Sequence, residues 1–136
     1  MMARDIRHFL YDIQLAISAI ESAVTGKTLA DYQADAFLKL ASERAIEIIS
    51  EASRRIPEEI QNLRPEIPWP KIRGIGNILR HEYYGLSETI LWGVIVDELP
   101  KLRVAIAAIQ ATLEGDEGDT GTASASTGAS ARSNMP

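Results

Sequence analysis

Between Ala3 and Val24 the large apolar residues fall at Ile6, Leu10, Ile13, Ile17 and Ile20, at steps of four and three. That is the period of one face of an α-helix; a half-buried strand would alternate at every second residue. The pattern predicts a helix over 3–24, stopped by Gly26. Thr28 or Asp31 is placed to cap the next helix.

The rest of the chain reads the same way. A second helical region spans 29–56, with a break near Asp35. Its expected apolar stripe is Phe37, Leu40, Ala41, Ala45, Ile48, Ile49 and Ala52, with Arg44, Glu47 and Glu51 on another side. Pro57 can open a short helix over 57–62, where its missing N–H is not needed. Pro65, Pro68 and Pro70 force an extended connection, and Trp69 is its expected packing anchor. A third main helix runs from near Pro70 to near Tyr84, with Gly85 as its stop. Ser87 and Glu88 open the next helix, with Leu91, Trp92, Ile95 and Leu99 facing the core. Pro100 begins or kinks a final segment over 100–113, carrying Leu102, Val104, Ile106 and Ile109. Nothing alternates like a strand. The expected fold is all-α, an antiparallel bundle of about four to five helices.

Residues 1–115 are expected to form one domain. After Gly115 the composition turns to Gly, Ser, Thr, Ala and Asp. Residues 116–136 have too little apolar surface to offset their ordering entropy and read as a disordered tail. A single helical domain of this size has a thin core and often buries more surface by pairing.

The chain has no cysteine, which excludes disulfides, thiolate metal sites and a cysteine nucleophile. It opens on a charged segment rather than an apolar leader, and no apolar run approaches the roughly 20 residues needed to cross a bilayer. A cytoplasmic protein, with no membrane association, is expected. The net charge of −5 argues against coating nucleic acid by bulk electrostatics. Yet between Arg54 and His81 there are six basic residues against three acidic ones, so a local positive patch is possible in an acidic chain.

Chemistry concentrates in Arg73–Tyr84, read Arg-Gly-Ile-Gly-Asn-Ile-Leu-Arg-His-Glu-Tyr-Tyr. On an ideal helix Ile72, Ile75, Leu79 and Tyr83 share one face, which should point inward. Arg73, Asn77, Arg80 and Tyr84 share another, with His81 beside them. Guanidinium forks suit phosphate oxygens, and a histidine titrates near neutrality and can move a proton. In RNA the substrate carries its own nucleophile, the 2′-OH, so no metal is required. A plain solvated face fits the same stripe. His81 and Arg80 also suit the negative end of a helix, and Arg80 an ion pair with Glu82 or Glu88. There is no Glu-x-x-His and no paired histidine for a metal, and Gly74 and Gly76 follow no strand, so they make no dinucleotide loop. No cofactor is expected.

The run from Ile67 to Tyr83, Ile-Pro-Trp-Pro-Lys-Ile-Arg-Gly-Ile-Gly-Asn-Ile-Leu-Arg-His-Glu-Tyr, resembles the signature region of HepT-like proteins, a branch of the HEPN superfamily of helical ribonucleases. The likeness continues through Leu91-Trp92 and Asp97-Glu98-Leu99-Pro100, and upstream through Arg44–Ala52. It covers about residues 3–113. The family pattern is Arg, a polar residue, a few spacers, His, one spacer, Tyr. Asn77, His81 and Tyr83 match it. The arginine position holds Gly76 instead, and Arg73 or Arg80 is the available substitute. The resemblance implies a homodimer with the motif helices facing across a composite cleft. It implies metal-independent RNA cleavage with His81, Arg80, Arg73 and Asn77 as catalytic candidates. It also implies a nucleotidyltransferase antitoxin partner of the MNT type, which transfers AMP to the motif tyrosine, here Tyr83. On simple geometry Tyr84 is the more exposed of the two tyrosines. The alternative is a HEPN-type binding module that keeps the partner and has lost cleavage, Gly76 being the visible loss.

Overall fold

A computed structural model describes residues 2–81 and 87–115, with side chains over 6–80 and 87–115. The expected tail, 116–136, lies outside the described residues, as do Tyr83, Tyr84 and Gly85.

Helix α1 is Met2–Val24. Its repeating isoleucines and Leu10 are all buried, as the period predicts. Gly26 ends the turn after α1 at a φ of +77°, where a side chain would be strained. Thr28 and Asp31 then both cap helix α2, Leu29–Ala34: the Asp31 N–H donates to Thr28 Oγ1 and the Thr28 N–H donates to the Asp31 carboxylate. These bonds hold the Asp31 carboxyl below its ordinary range. Asp35 ends α2 and caps helix α3, Ala36–Arg54, accepting from the Leu38 N–H at 2.9 Å.

Helix α3 packs against both α1 and the helix that carries the motif. Its buried face is centred on Leu38, Ser42, Ala45, Ile46, Ile49, Ser50 and Ser53. This corrects the expected stripe: Phe37 is 81% exposed and Leu40 65%. Leu40 stands two positions from both Leu38 and Ser42, so it points to the opposite side of the helix. Ser50 sits at a close crossing that a large apolar residue would block.

Helix α4, Glu58–Gln61, begins just after Pro57, which stands as its cap. Trp69 is buried, and its indole N–H donates to the Gln61 and Arg64 carbonyls, both at 3.0 Å. The proline-rich connection is thereby fastened to α4. Helix α5, Trp69–His81, starts at this anchor.

Ser87 caps helix α6, Glu88–Gly93, through the Ile90 N–H. The chain does not break at Pro100. It runs on through one π turn, Val94–Glu98, into helix α7, residues 99–115. Pro100 has no N–H to offer Val96, and its ring would meet that carbonyl in a regular helix. In the wider turn the Leu99 N–H bonds the Val94 carbonyl instead. Leu102, Ala105, Ile106 and Ile109 are buried. Val104, expected in the core, is 54% exposed, because it lies two residues from both Leu102 and Ile106. Arg103 ties α7 to α1 through Glu21 at 3.2 Å.

The fold is therefore the expected all-α bundle: α1, α3, α5 and the continuous α6–α7 helix, with α2 and α4 as short connectors. Among the described residues no helix is long and apolar enough to cross a membrane.

Candidate functional site

Helix α5 lies against α3, and their closest approach is Gly76 on Ser50. Ser50 Oγ donates to the Arg73 carbonyl at 2.9 Å and accepts from the Gly76 N–H at 3.1 Å. A Cβ at position 76 would stand 2.7 Å from Ser50 Oγ and 2.8 Å from Ser50 Cβ. Those separations are closer than non-bonded atoms tolerate, so glycine is what lets the helices meet here. Gly74, one half-turn earlier, has nothing within 4 Å of its Cβ position.

The stripe expected on α5 is present but divided. Asn77 and Arg80 are exposed. The Arg80 guanidinium folds back one turn, so that its Nη1 lies 3.7 Å from where a Gly76 Cβ would be. A cation therefore occupies the space beside the glycine, supplied from one turn downstream. Arg73 goes elsewhere. It is half-buried, and its Nη1 donates to Gln61 Oε1 at 2.6 Å. Arg54 Nε donates to the Arg73 carbonyl at 3.1 Å. His81 is the last residue of α5; its side chain and Tyr83 lie outside the described residues.

Leu79 is buried as expected, while Ile72 and Ile75 are half-buried. Ile72 and Ile75 line an apolar groove of about 690 Å³ between α5 and the α6–α7 helix, with Ile90 and Val94 opposite. Of the charged residues flagged on α3, Arg44 pairs with Glu47, and Glu51 contacts Arg54 and Arg55. Glu88 pairs with Lys39 at 2.8 Å. Glu43, beside them, is pushed above the ordinary carboxylate range by burial first and then by the Glu47 and Glu88 charges. Among the described residues no group of acidic, histidine or cysteine side chains could hold a metal ion.

Sequence reasoning missed Ser50, Gln61 and Arg54. The signal for Ser50 was the spacing Ser50, Ser53 within an apolar stripe, which marks a close helix approach. Gln61 and Arg54 meet Arg73 only through tertiary contact.

The family model for Ribonuclease HepT-like proteins matches residues 13–109, from within α1 to within α7. The chain belongs to the HepT-like ribonuclease family. Similar proteins include one from Thermococcus cleftensis named "Probable ribonuclease HepT", 35% identical over 102 residues, covering 75% of this chain and 93% of that one. A candidate RNase of Methanocaldococcus jannaschii is 30% identical over 109 residues, 80% of this chain and 100% of its own. Another, from Caldanaerobacter subterraneus, is 31% identical over 104 residues, 76% and 89% of the two chains. No solved structure gives a significant match. The HepT-like match takes in all of α5, with the divided arginines and the Gly76 crossing.

Proposed function

We propose that this HepT-like chain is a metal-independent endoribonuclease, the toxin of a type VII HepT/MntA-like pair, working in the cytoplasm. One observation carries the reading of the site: Arg80 places a guanidinium beside Gly76, the position where the family pattern has its arginine. The reaction is attack of the RNA 2′-OH on the adjacent phosphorus. The O2′–P bond forms, the P–O5′ bond breaks, and the products are a 2′,3′-cyclic phosphate and a 5′-OH. Arg80 holds the charge that grows on the phosphoryl oxygens, and Asn77 hydrogen-bonds one of them. His81 moves the proton. Two protons must travel, one from the 2′-oxygen and one to the 5′-oxygen. A composite site between two copies carries two such imidazoles, one to take and one to give. The apolar groove beside α5 supports pairing, since it offers a second copy a surface next to the motif helix.

Control falls to a nucleotidyltransferase of the MNT type that transfers AMP to Tyr83. An adenylyl phosphate there blocks RNA by bulk and by negative charge. Incubation with that partner and ATP is expected to add AMP mass to the Tyr83 peptide; mass on Tyr84, or none, overturns the assignment. The catalytic reading predicts that His81→Ala abolishes RNA cutting with the helical content intact. Full activity in that variant would refute it.

Gly76 also favours a second reading, a binding module without turnover. Restoring arginine at 76 does not by itself discriminate, because any Cβ there meets Ser50. The discriminating experiment is the parent chain on RNA: partner or RNA binding without cleavage selects the binding module, and cleavage lost on Arg80→Gln selects the ribonuclease.

A further inference from the structure

A second basic cleft, away from the Gly76–Arg80 pair, opens between the end of α3, α4 and the first turns of α5. Its volume is about 460 Å³. Arg54 and Arg73 line it, with Gln61 and Asn62 on the α4 side and Glu58 on the same wall. Its floor is rigid. Gln61 is only 4% exposed, and its amide nitrogen donates to the Ser53 and Ile56 carbonyls at 3.0 and 3.2 Å. That fixes the amide the other way round toward Arg73, so Gln61 Oε1 receives the guanidinium at 2.6 Å. Trp69 holds the Gln61 carbonyl from behind at 3.0 Å. Arg54 is steered into the same cleft by its bond to the Arg73 carbonyl. Arg73 spends one bond on Gln61, and Arg54 spends one on the Arg73 carbonyl and a longer one, 3.5 Å, on Glu51; a guanidinium has five N–H donors, so both can still serve a ligand. Glu58 lines the cleft and Glu51 pairs with Arg54 and Arg55 at its edge, so three arginines stand against two carboxylates and the surroundings stay net cationic by one charge. Two aimed guanidinium groups on a buried polar floor match a phosphate ester.

We infer that this cleft is a subsite for a backbone phosphate of RNA flanking the bond that is cut. The inference rests on the ribonuclease reading for its substrate. The Arg80 guanidinium lies beside Gly76, three positions along α5 from Arg73, which is about 4.5 Å of rise, while the Arg73 guanidinium reaches across to Gln61 on α4. The two guanidinium groups therefore face different sides of α5, and one strand crossing the helix meets both through different phosphates. The scissile phosphate lies at Arg80 and a positioning phosphate at Arg54 and Arg73. The cleft then sets how much RNA must flank the cut.

The experiment measures binding of two RNAs whose scissile 2′-position is deoxy: a dinucleoside monophosphate, and the same step extended by about three nucleotides on each side. Salt is varied, and cleavage of the ribo versions is followed in parallel. The parent is expected to bind the extended RNA more tightly. Arg54→Gln and Arg73→Gln are each expected to remove about tenfold of that gain, and to reduce the salt slope by about 0.7. Arg54→Lys keeps a charge and is expected to restore part of it. In cleavage, the loss is expected in KM for the extended RNA, with kcat holding. Equal losses on both RNAs would make the arginines structural, and unchanged binding of the extended RNA in both variants would remove the subsite; either result overturns the inference. So does inorganic phosphate binding as strongly as the extended RNA. If the parent cuts nothing while the length gain persists and falls in Arg54→Gln, the ribonuclease reading fails and the subsite stands.

Discussion

Gly74 and Gly76 sit two residues apart in the same helix, and alanine should act on them in opposite directions. Gly74 has open space at its Cβ position. Gly74→Ala there removes the entropic disadvantage of glycine in a helix and is expected to stabilise by about 0.5–1 kcal/mol. Gly76→Ala gains the same term. Against it stands a Cβ 2.7–2.8 Å from Ser50, backed by the α3 backbone rather than by a flexible chain end. Forcing a methyl into a packed contact costs about 1–3 kcal/mol. Pushing Ser50 aside also strains its bond from the Gly76 N–H, a contribution of about 1 kcal/mol. The net expectation for Gly76→Ala is a loss of about 1–3 kcal/mol.

Urea denaturation of the parent, the two single variants and Ser50→Gly/Gly76→Ala reads this directly. In a domain of this size each kcal/mol also moves Tm by about 4 °C. The double variant moves the missing Cβ from α5 to α3 and should recover at least half of the loss, with a coupling energy above about 0.5 kcal/mol. If Gly76→Ala is as stable as Gly74→Ala, the close crossing is not there, and the account of why arginine is absent at position 76 falls with it.

Burial and bonding set three further outcomes. Glu43 has its folded pKa raised by burial and neighbouring carboxylates, so the folded state binds its proton more readily than the unfolded chain. Its contribution worsens as pH rises through the carboxylate range, so Glu43→Gln should raise Tm at neutral pH, with the gain shrinking toward acid in a pH series of melts. Trp69→Phe leaves the Gln61 and Arg64 carbonyls without their shared donor and should cost about 1–3 kcal/mol in urea. Phe37→Ser should stay within about 0.5 kcal/mol of the parent, whereas Ile46→Ala, at a residue 2% exposed, should cost about 2–5 kcal/mol.

The helices were legible because their signals are local. A step of three and four, a Thr-x-x-Asp box, an aspartate at a break and a serine before a helix each act within one turn. Which side of α3 is buried was less legible. Two helices pack on α3, so its buried face is broad and includes serines that a hydrophobicity pattern leaves out. Phe37 and Val104 were misplaced by their apolar character alone, against the angle their positions take on a helix. Pro100 does stand at the start of the last segment, but one wide turn absorbs it and the helix runs on. In the site, the segment and its polar stripe were visible. The separation of Arg73 from Arg80 was not, since it depends on Gln61, which comes from another helix.

Gly76 is first read as a lost arginine, and the geometry changes what that loss means. A side chain at 76 and a hydroxyl at 50 compete for one volume. Removing the side chain lets α5 close on α3 and brings the Gly76 N–H onto Ser50, with the Arg80 guanidinium folded back beside them. The missing charge and the tight crossing are thus one structural choice. A HepT-like chain with arginine at this position must hold α5 farther from α3, rotate it, or carry a smaller residue at position 50. Its residue four places on then has no reason to fold back. Gly76→Arg alone should therefore lower stability without restoring chemistry. Adding Ser50→Gly should recover stability, and Arg80 should then become dispensable if, and only if, the two arginines serve the same phosphate.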